Sequence, residues 1–262
     1  MTGVDAVRCV RAYSRRKVVA YYSGYQSLQK PEAAILAALA PRLGTMRMLD
    51  IGVGGGRMTE HFAPRVKDYQ GIDISADMID ACRARFLGRL SAQRFQLRDM
   101  RALDDYPSAS FDLILNSYNT IDHLAPGERV AFLAQARRII SPGGYLCFSA
   151  HNIRSLAAYP EIEWSWRRPH ALLRALLHRR RYFRLNRRSL DAHAQADYVV
   201  IHNGTHDDFA LELLYVRPEA QLDALRLAGF AHVTVFSLDT GEALGDASIA
   251  SVNDRWLYYL CS

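Results

Sequence analysis

The residues best placed to do chemistry begin at Asp50-Ile51-Gly52-Val53-Gly54-Gly55-Gly56-Arg57. Glycines at 52, 54 and 56 let the backbone turn tightly and let a ligand approach with no Cβ in the way. A helix after such a turn offers unpaired backbone N–H groups. The dinucleotide fingerprint needs glycine where Arg57 stands, so the pattern is not the nicotinamide one. Asp73 follows Gly52 by 21 residues, the distance at which an acid accepts hydrogen bonds from a ribose diol. Asp99 can take the exocyclic amine of an adenine, with Met100 and Met78 covering its faces. Asn116 and Ser117 close a fourth apolar run. These polar groups meet in one crevice only if the runs before them are neighbouring parallel strands, because open parallel sheets bind ligands beyond the carboxyl ends of their strands.

The periodicity supplies such strands. Short apolar runs at 46–51, 69–74, 94–97, 111–115 and 145–149 alternate with helical segments at 57–64, 76–87 and 128–140, the last closed by Pro142, Gly143 and Gly144. This alternation predicts an α/β fold with a Rossmann-like, doubly wound, mostly parallel sheet. Residues 1–45 read as a helical lid, its second helix opening on Pro31 and Glu32. The alternation stops over 151–217, read as an inserted cap. Leu172, Leu173, Leu176 and Leu177 share one face of an arginine-rich helix there, followed by a hairpin of runs 198–202 and 209–216 around Asn203, Gly204 and Thr205. A helix at 218–228 and runs at 232–236 and 256–260 complete the core, which comprises 46–150 and 218–262.

These motifs resemble those of the class I S-adenosylmethionine-dependent methyltransferases. Asp50-x-Gly52-x-Gly54-x-Gly56 looks like their first motif, Gly71-Ile72-Asp73-Ile74-Ser75 like their ribose acid, and Arg98-Asp99-Met100 like their adenine site. Phe111–Leu115 is similar to their fourth strand, and Ile140-Ser141-Pro142-Gly143-Gly144 to the turn before the fifth. The resemblance implies S-adenosylmethionine as cofactor. It would be held by Asp50, Gly52, Gly54, Gly56, Arg57, Asp73, Ile74, Met78, Asp99, Met100, Asn116 and Ser117. It also implies an antiparallel last strand and an N-terminal helix over the cofactor, where Tyr21 or Tyr25 would reach the site.

Ser117 to Leu124 is similar to the matching segment of small-molecule N-methyltransferases, including those acting on amino sugars, which carry a histidine at the position of His123. No proline follows Asn116, unlike in the nucleic-acid amino-methyltransferases, and this argues against a nucleobase acceptor. Methyl transfer from a sulfonium is mainly a matter of alignment, worth ~7–11 kcal/mol. A general base adds ~10²–10⁴-fold where the nucleophile carries a proton. His123 is the first candidate base and His151 the second. The expected acceptor is a small metabolite: a sugar, a nucleotide-linked compound or a natural-product scaffold, with nitrogen and oxygen both open. An RNA or protein methyltransferase using the basic cap, and a non-catalytic cofactor-binding subunit, are the alternatives.

The chain has 262 residues, half of them hydrophobic and 23% charged, enough to bury a core without staples. Four cysteines stand far apart with no Cys-x-x-Cys pair, so neither a zinc knuckle nor a disulfide framework is expected. No run nears the roughly 20 apolar residues of a membrane span, and Arg8 to Arg16 precede no signal-like apolar segment. The expectation is a cytoplasmic protein with no membrane partner and no set oligomeric state. His202, His206, Asp207 and Asp208 read as a polar turn, so no metal is expected. The net charge of +6 is concentrated: 167–188 holds nine arginines and no acid, while the rest carries 24 basic and 27 acidic residues. Such a segment suits a solvated helix face or an anionic, phosphate-bearing acceptor.

Overall fold

The computed structural model describes residues 6–157, 169–203 and 209–262, and for 169–172 only the helical backbone. The main sheet contains β1 (Arg47–Ile51), β2 (Asp68–Asp73), β3 (Phe95–Leu97), β4 (Phe111–Asn116) and β5 (Ile140–His151). A separate pair is β6 (Tyr198–Asn203) and β7 (Leu211–Val216), and β8 (Val233–Ser237), β9 (Ala243–Leu244) and β10 (Trp256–Cys261) complete the main sheet. Its order is β3-β2-β1-β4-β5-β10-β8-β9. Strands β1 to β5 pair in parallel, and β10 runs antiparallel between β5 and β8. The doubly wound sheet and its reversed last strand are both as expected.

Helices cover both faces. Beneath one lie α3 (Lys30–Leu43), α4 (Arg57–Phe62) and α5 (Ala76–Arg85), which contribute Ile35, Leu39, Met58, Phe62 and Ile79 to the core, with Phe86 just past α5. Against the other lie α6 (Pro126–Ile139) and α8 (Pro218–Leu227), with Phe132, Leu133, Ala136 and Leu225. Burial on both faces is why the middles of β1 (Met48 and Leu49) and β4 (Leu113, Ile114 and Leu115) are apolar without alternation.

Strand β5 begins at Ile140, five residues before the predicted run. Ile140 pairs with Phe111, and the ladder resumes at Leu113 opposite Tyr145, so the Pro142-Gly143-Gly144 segment is a bulge within the strand. Two helices, α1 (Ala6–Tyr13) and α2 (Arg16–Gly24), precede α3. The predicted hairpin forms, Tyr198 opposite Val216 through Asn203 opposite Leu211. Gly204, Thr205, His206, Asp207 and Asp208 lie outside the described residues, as do Arg167 and Arg168.

Helix α7 (Pro169–Ala192) lies on β6. Buried Asn186 bonds both the N–H and the C=O of His202, at 2.7 and 3.1 Å, and Ser189 Oγ donates to the Val200 carbonyl at 2.7 Å. The leucine face reads differently from expectation: Leu173, Leu176 and Leu177 are exposed, because these short anchoring side chains turn the opposite side of the helix to the sheet. The remaining short helix is α9 (Asp246–Ile249). No described helix is long and apolar enough to cross a membrane.

Candidate active site

The strand order reverses between β1 and β4, the point at which open α/β sheets bind ligands. A crevice opens there, lined by the glycine turn, the ends of β1, β2 and β4, and helices of the N-terminal segment. Gly52, Gly54 and Gly56 have φ of 73°, 54° and 79°, the left-handed region that glycine enters without strain. A Cβ on Gly52 would meet Thr120 at 2.7 Å, and one on Gly56 would strike the Phe86 ring. Gly54 instead faces open space, its nearest neighbour 3.9 Å away, so the turn leaves a cradle there.

The Asp73 carboxylate accepts N–H bonds from Gly54 and Ser75, both at 2.9 Å. Burial raises its pKa above the ordinary value, and the two N–H groups act against that rise. The acid is thereby held rigid beside the glycine turn. Met78, Asp99 and Met100 line the neighbouring wall with Ile74, Arg98 and Arg101. Asp99 accepts from the Arg101 N–H and guanidinium, both at 2.9 Å. The open turn, fixed acid and methionine wall fit the adenosyl group of the cofactor that the sequence resemblance implies.

Arg57 opens α4 and turns into the crevice wall. Its guanidinium forms a two-pronged ion pair with buried Glu32, Nη2 to Oε1 at 2.7 Å, and reaches Ser117 Oγ at 3.3 Å. Burial pulls its pKa down, but Glu32 outweighs that and holds it above the ordinary value. Tyr25 and Tyr118 stack on it at 5.6 and 5.2 Å. Glu32 also accepts from Tyr258 Oη at 2.6 Å and from the Gln29 N–H at 2.8 Å, which closes the first turn of α3. A residue read only as a helix-start acid thus anchors the wall.

The far end of the crevice is aromatic and is shared between α1 and α2 on one side and the segment after β4 on the other. Cys9, Tyr13 and Tyr22 line it with Tyr118, Thr120 and His123. Tyr13 Oη lies 2.9 Å from His123 Nε2, and Cys9 Sγ lies 3.7 Å from His123 Nδ1. Burial lowers the His123 pKa to about 4, so the ring is neutral at physiological pH. Tyr118 and Asn119 have positive φ, 57° and 62°, a strain that non-glycine residues carry mainly at functional sites.

Six expected residues do not line the crevice, each for a visible reason. Tyr21 is half exposed and stacks on Tyr25, which is itself spent on Arg57; Tyr13 and Tyr22 are the lid tyrosines that reach in. Asp50 lies beneath the turn, taking a 2.8 Å bond from Tyr69, and burial raises its pKa to about 7. Gly56 serves the packing of Phe86. Asn116 is fully buried, its Nδ2 3.4 Å from the Ile51 carbonyl.

His151, the second candidate base, stands behind the wall. Its Nδ1 and backbone N–H both contact Asp122 Oδ2 at 2.7 Å, and its ring stacks on Tyr215. Asp122 in turn pairs with buried Arg129 at 2.7 Å. This cluster braces the turn Thr120–His123 that carries His123. None of the described arginines of α7 lines the crevice, so among the described residues they form a solvated helix face and not a grip on an anionic acceptor.

Residues 48–144 match the family described as methyltransferase domain. A malonyl-[acyl-carrier protein] O-methyltransferase of Enterobacter lignolyticus is 27% identical over 232 residues, covering 86% of this chain and 79% of the relative. A fatty-acid O-methyltransferase of Mycolicibacterium smegmatis is 32% identical over 120 residues, 45% of this chain and 40% of the relative. Apart from the first, these curated relatives are matched over less than two thirds of their own length. In fold the chain is similar to an S-adenosylmethionine-dependent methyltransferase of Clostridium acetobutylicum, with TM-score 0.62 and 13% identity over 94% of this chain and 97% of that one.

Proposed function

We propose, for a chain that is a class I S-adenosylmethionine-dependent methyltransferase in fold and cofactor crevice, methyl transfer to a nitrogen or oxygen of a small metabolite held at the aromatic end. The observation that carries this reading is that one crevice joins the glycine turn and Asp73 to the Tyr13–His123 pair. When bound, the cofactor supplies an electrophilic methyl group on a sulfonium. Asp73 binds its ribose, Asp99 and Met100 its adenine, and Ser117 with Arg57 the methionine end. Tyr13, Tyr22 and Tyr118 exclude water and orient the acceptor. Neutral His123 takes at Nε2 the proton of Tyr13 Oη, 2.9 Å away, while Tyr13 takes that of a hydroxyl or ammonium nucleophile.

The test has two stages. S-adenosylhomocysteine should bind the purified chain in a calorimetric titration, and Asp73→Ala should weaken that binding at least tenfold. Acceptors from sugar, nucleotide-linked and natural-product classes are then screened by methyl release. Absence of binding to the folded, ligand-free chain, with and without candidate acceptors, would sink the reading.

A carboxylate acceptor is the second reading. Arg101 lines the crevice and its charge acts on His123, and the relative matched over most of the chain is an O-methyltransferase. A carboxylate needs no base. His123→Gln should therefore leave turnover within a few-fold there, but cut it by ~10²–10⁴ for a protonated nucleophile.

A further inference from the structure

Helix α7 spans 24 residues, about 36 Å at ~1.5 Å per residue. Asn186, Ser189 and half-buried Tyr182 face β6 and its surroundings. The opposite side, at helical spacing, presents Leu173, Leu177, Arg180, Arg184, Arg187 and Arg188, all exposed. The stripe is apolar over its first turns and basic over its last three. Leu173 and Leu177 are 57% and 58% exposed, high for leucine on a described helix. Among the described residues Asp191 meets Arg187 at 3.9 Å with both side chains in solvent, an ion pair that offsets little charge. The rest of the chain is net negative, which confines the attraction to this face.

We propose that the outward face of α7 is a docking surface for a small acidic protein that presents carboxylates beside an apolar contact. Charge complementarity selects an anionic partner, and the paired leucines select among anionic partners. Nucleic acid is held by phosphate contacts and gains little from exposed leucine. A helix lying on a membrane needs its apolar face to continue along its length, whereas here the last three turns of the same face are arginine. Protein interfaces combine apolar contacts with arginine, and this face offers both, end to end along one helix.

The surface is separate from the crevice, so its test does not depend on the methyl-transfer reading. The full chain is titrated at 100 mM salt with acyl carrier protein as a defined small acidic protein. Poly-glutamate, phosphatidylglycerol vesicles and single-stranded RNA are titrated in parallel. The expected result is saturable binding to the protein probe that weakens with salt. Binding should fall at least tenfold in Arg180→Glu/Arg184→Glu/Arg188→Glu and at least threefold in Leu173→Ser/Leu177→Ser. Both variants should keep the parent's far-UV circular dichroism and melting temperature, which shows them folded. Equal binding of poly-glutamate with no effect of the leucine changes would reduce the face to unspecific charge and overturn the proposal. Binding to vesicles or RNA alone, or no binding to the protein probe, would also overturn it.

Discussion

His123 shows how burial decides what a side chain can do. In the crevice it is neutral because desolvation lowers its pKa to about 4 against an ordinary 6.5. The folded form therefore binds fewer protons than the unfolded one between those values. The stability this contributes is present above pH 6.5 and is lost as pH falls toward 4. His123→Gln should remove that loss: the gap in melting temperature between pH 7.5 and pH 4.5 should be smaller in the variant, measured by thermal unfolding. A gap unchanged by the substitution would mean the ring is not desolvated. The motif segment pointed to this histidine, but its partners Tyr13 and Cys9 were invisible, because they lie 110 and 114 residues away on a lid helix of no special pattern. Glu32 was legible as a helix-start acid, and its hold on Arg57 was not, for the same reason.

Two elements hold the site in shape. The lid backbone sits directly on Gly55, where an added Cβ would strike Ser23 and Tyr22. Arg85 Nη1 completes the seam, donating to the Gly55 carbonyl at 2.8 Å. Gly55→Ala should lift α2 from the turn and weaken S-adenosylhomocysteine binding at least tenfold, with far-UV circular dichroism close to the parent's. The other element is the turn Thr120–His123, braced by Asp122. Asp122→Ala leaves the buried Arg129 charge without its carboxylate, a class of change that costs about 3–5 kcal/mol. Denaturant unfolding should show a loss of that size, and a loss under 1 kcal/mol would mean that Gln221, which also accepts from Arg129, compensates. The sequence placed α2 only within a helical stretch of residues 1–45, and it could not show that Tyr22, not Tyr21 or Tyr25, faces inward. One step along a helix rotates a side chain by ~100°, and which step faces the sheet depends on how the helix docks.

At the scale of the molecule, the sheet and its two helical layers carry the stability, and the cysteines add no covalent link. All four are free and buried, so reductant should leave the melting temperature unchanged, and a shift of several degrees would contradict the packing. A ligand that binds the folded state raises its stability by about 2.7 kcal/mol at a hundredfold excess over Kd. S-adenosylhomocysteine should therefore raise the melting temperature of the parent, and the rise should largely vanish in Asp73→Ala. The sequence by itself determined the alternating α/β plan, the glycine turn and the acids closing successive strands, because these depend on local periodicity and on spacing along one βα unit. Only the tertiary structure decided which groups share the crevice. Lid docking brought in Tyr13 and Tyr22, burial turned Asp50 downward and made His123 neutral, and Asn186 turned the leucines of α7 to solvent. Each of these outcomes depends on contacts between residues distant in the chain, whose relative rotation and burial no local pattern encodes.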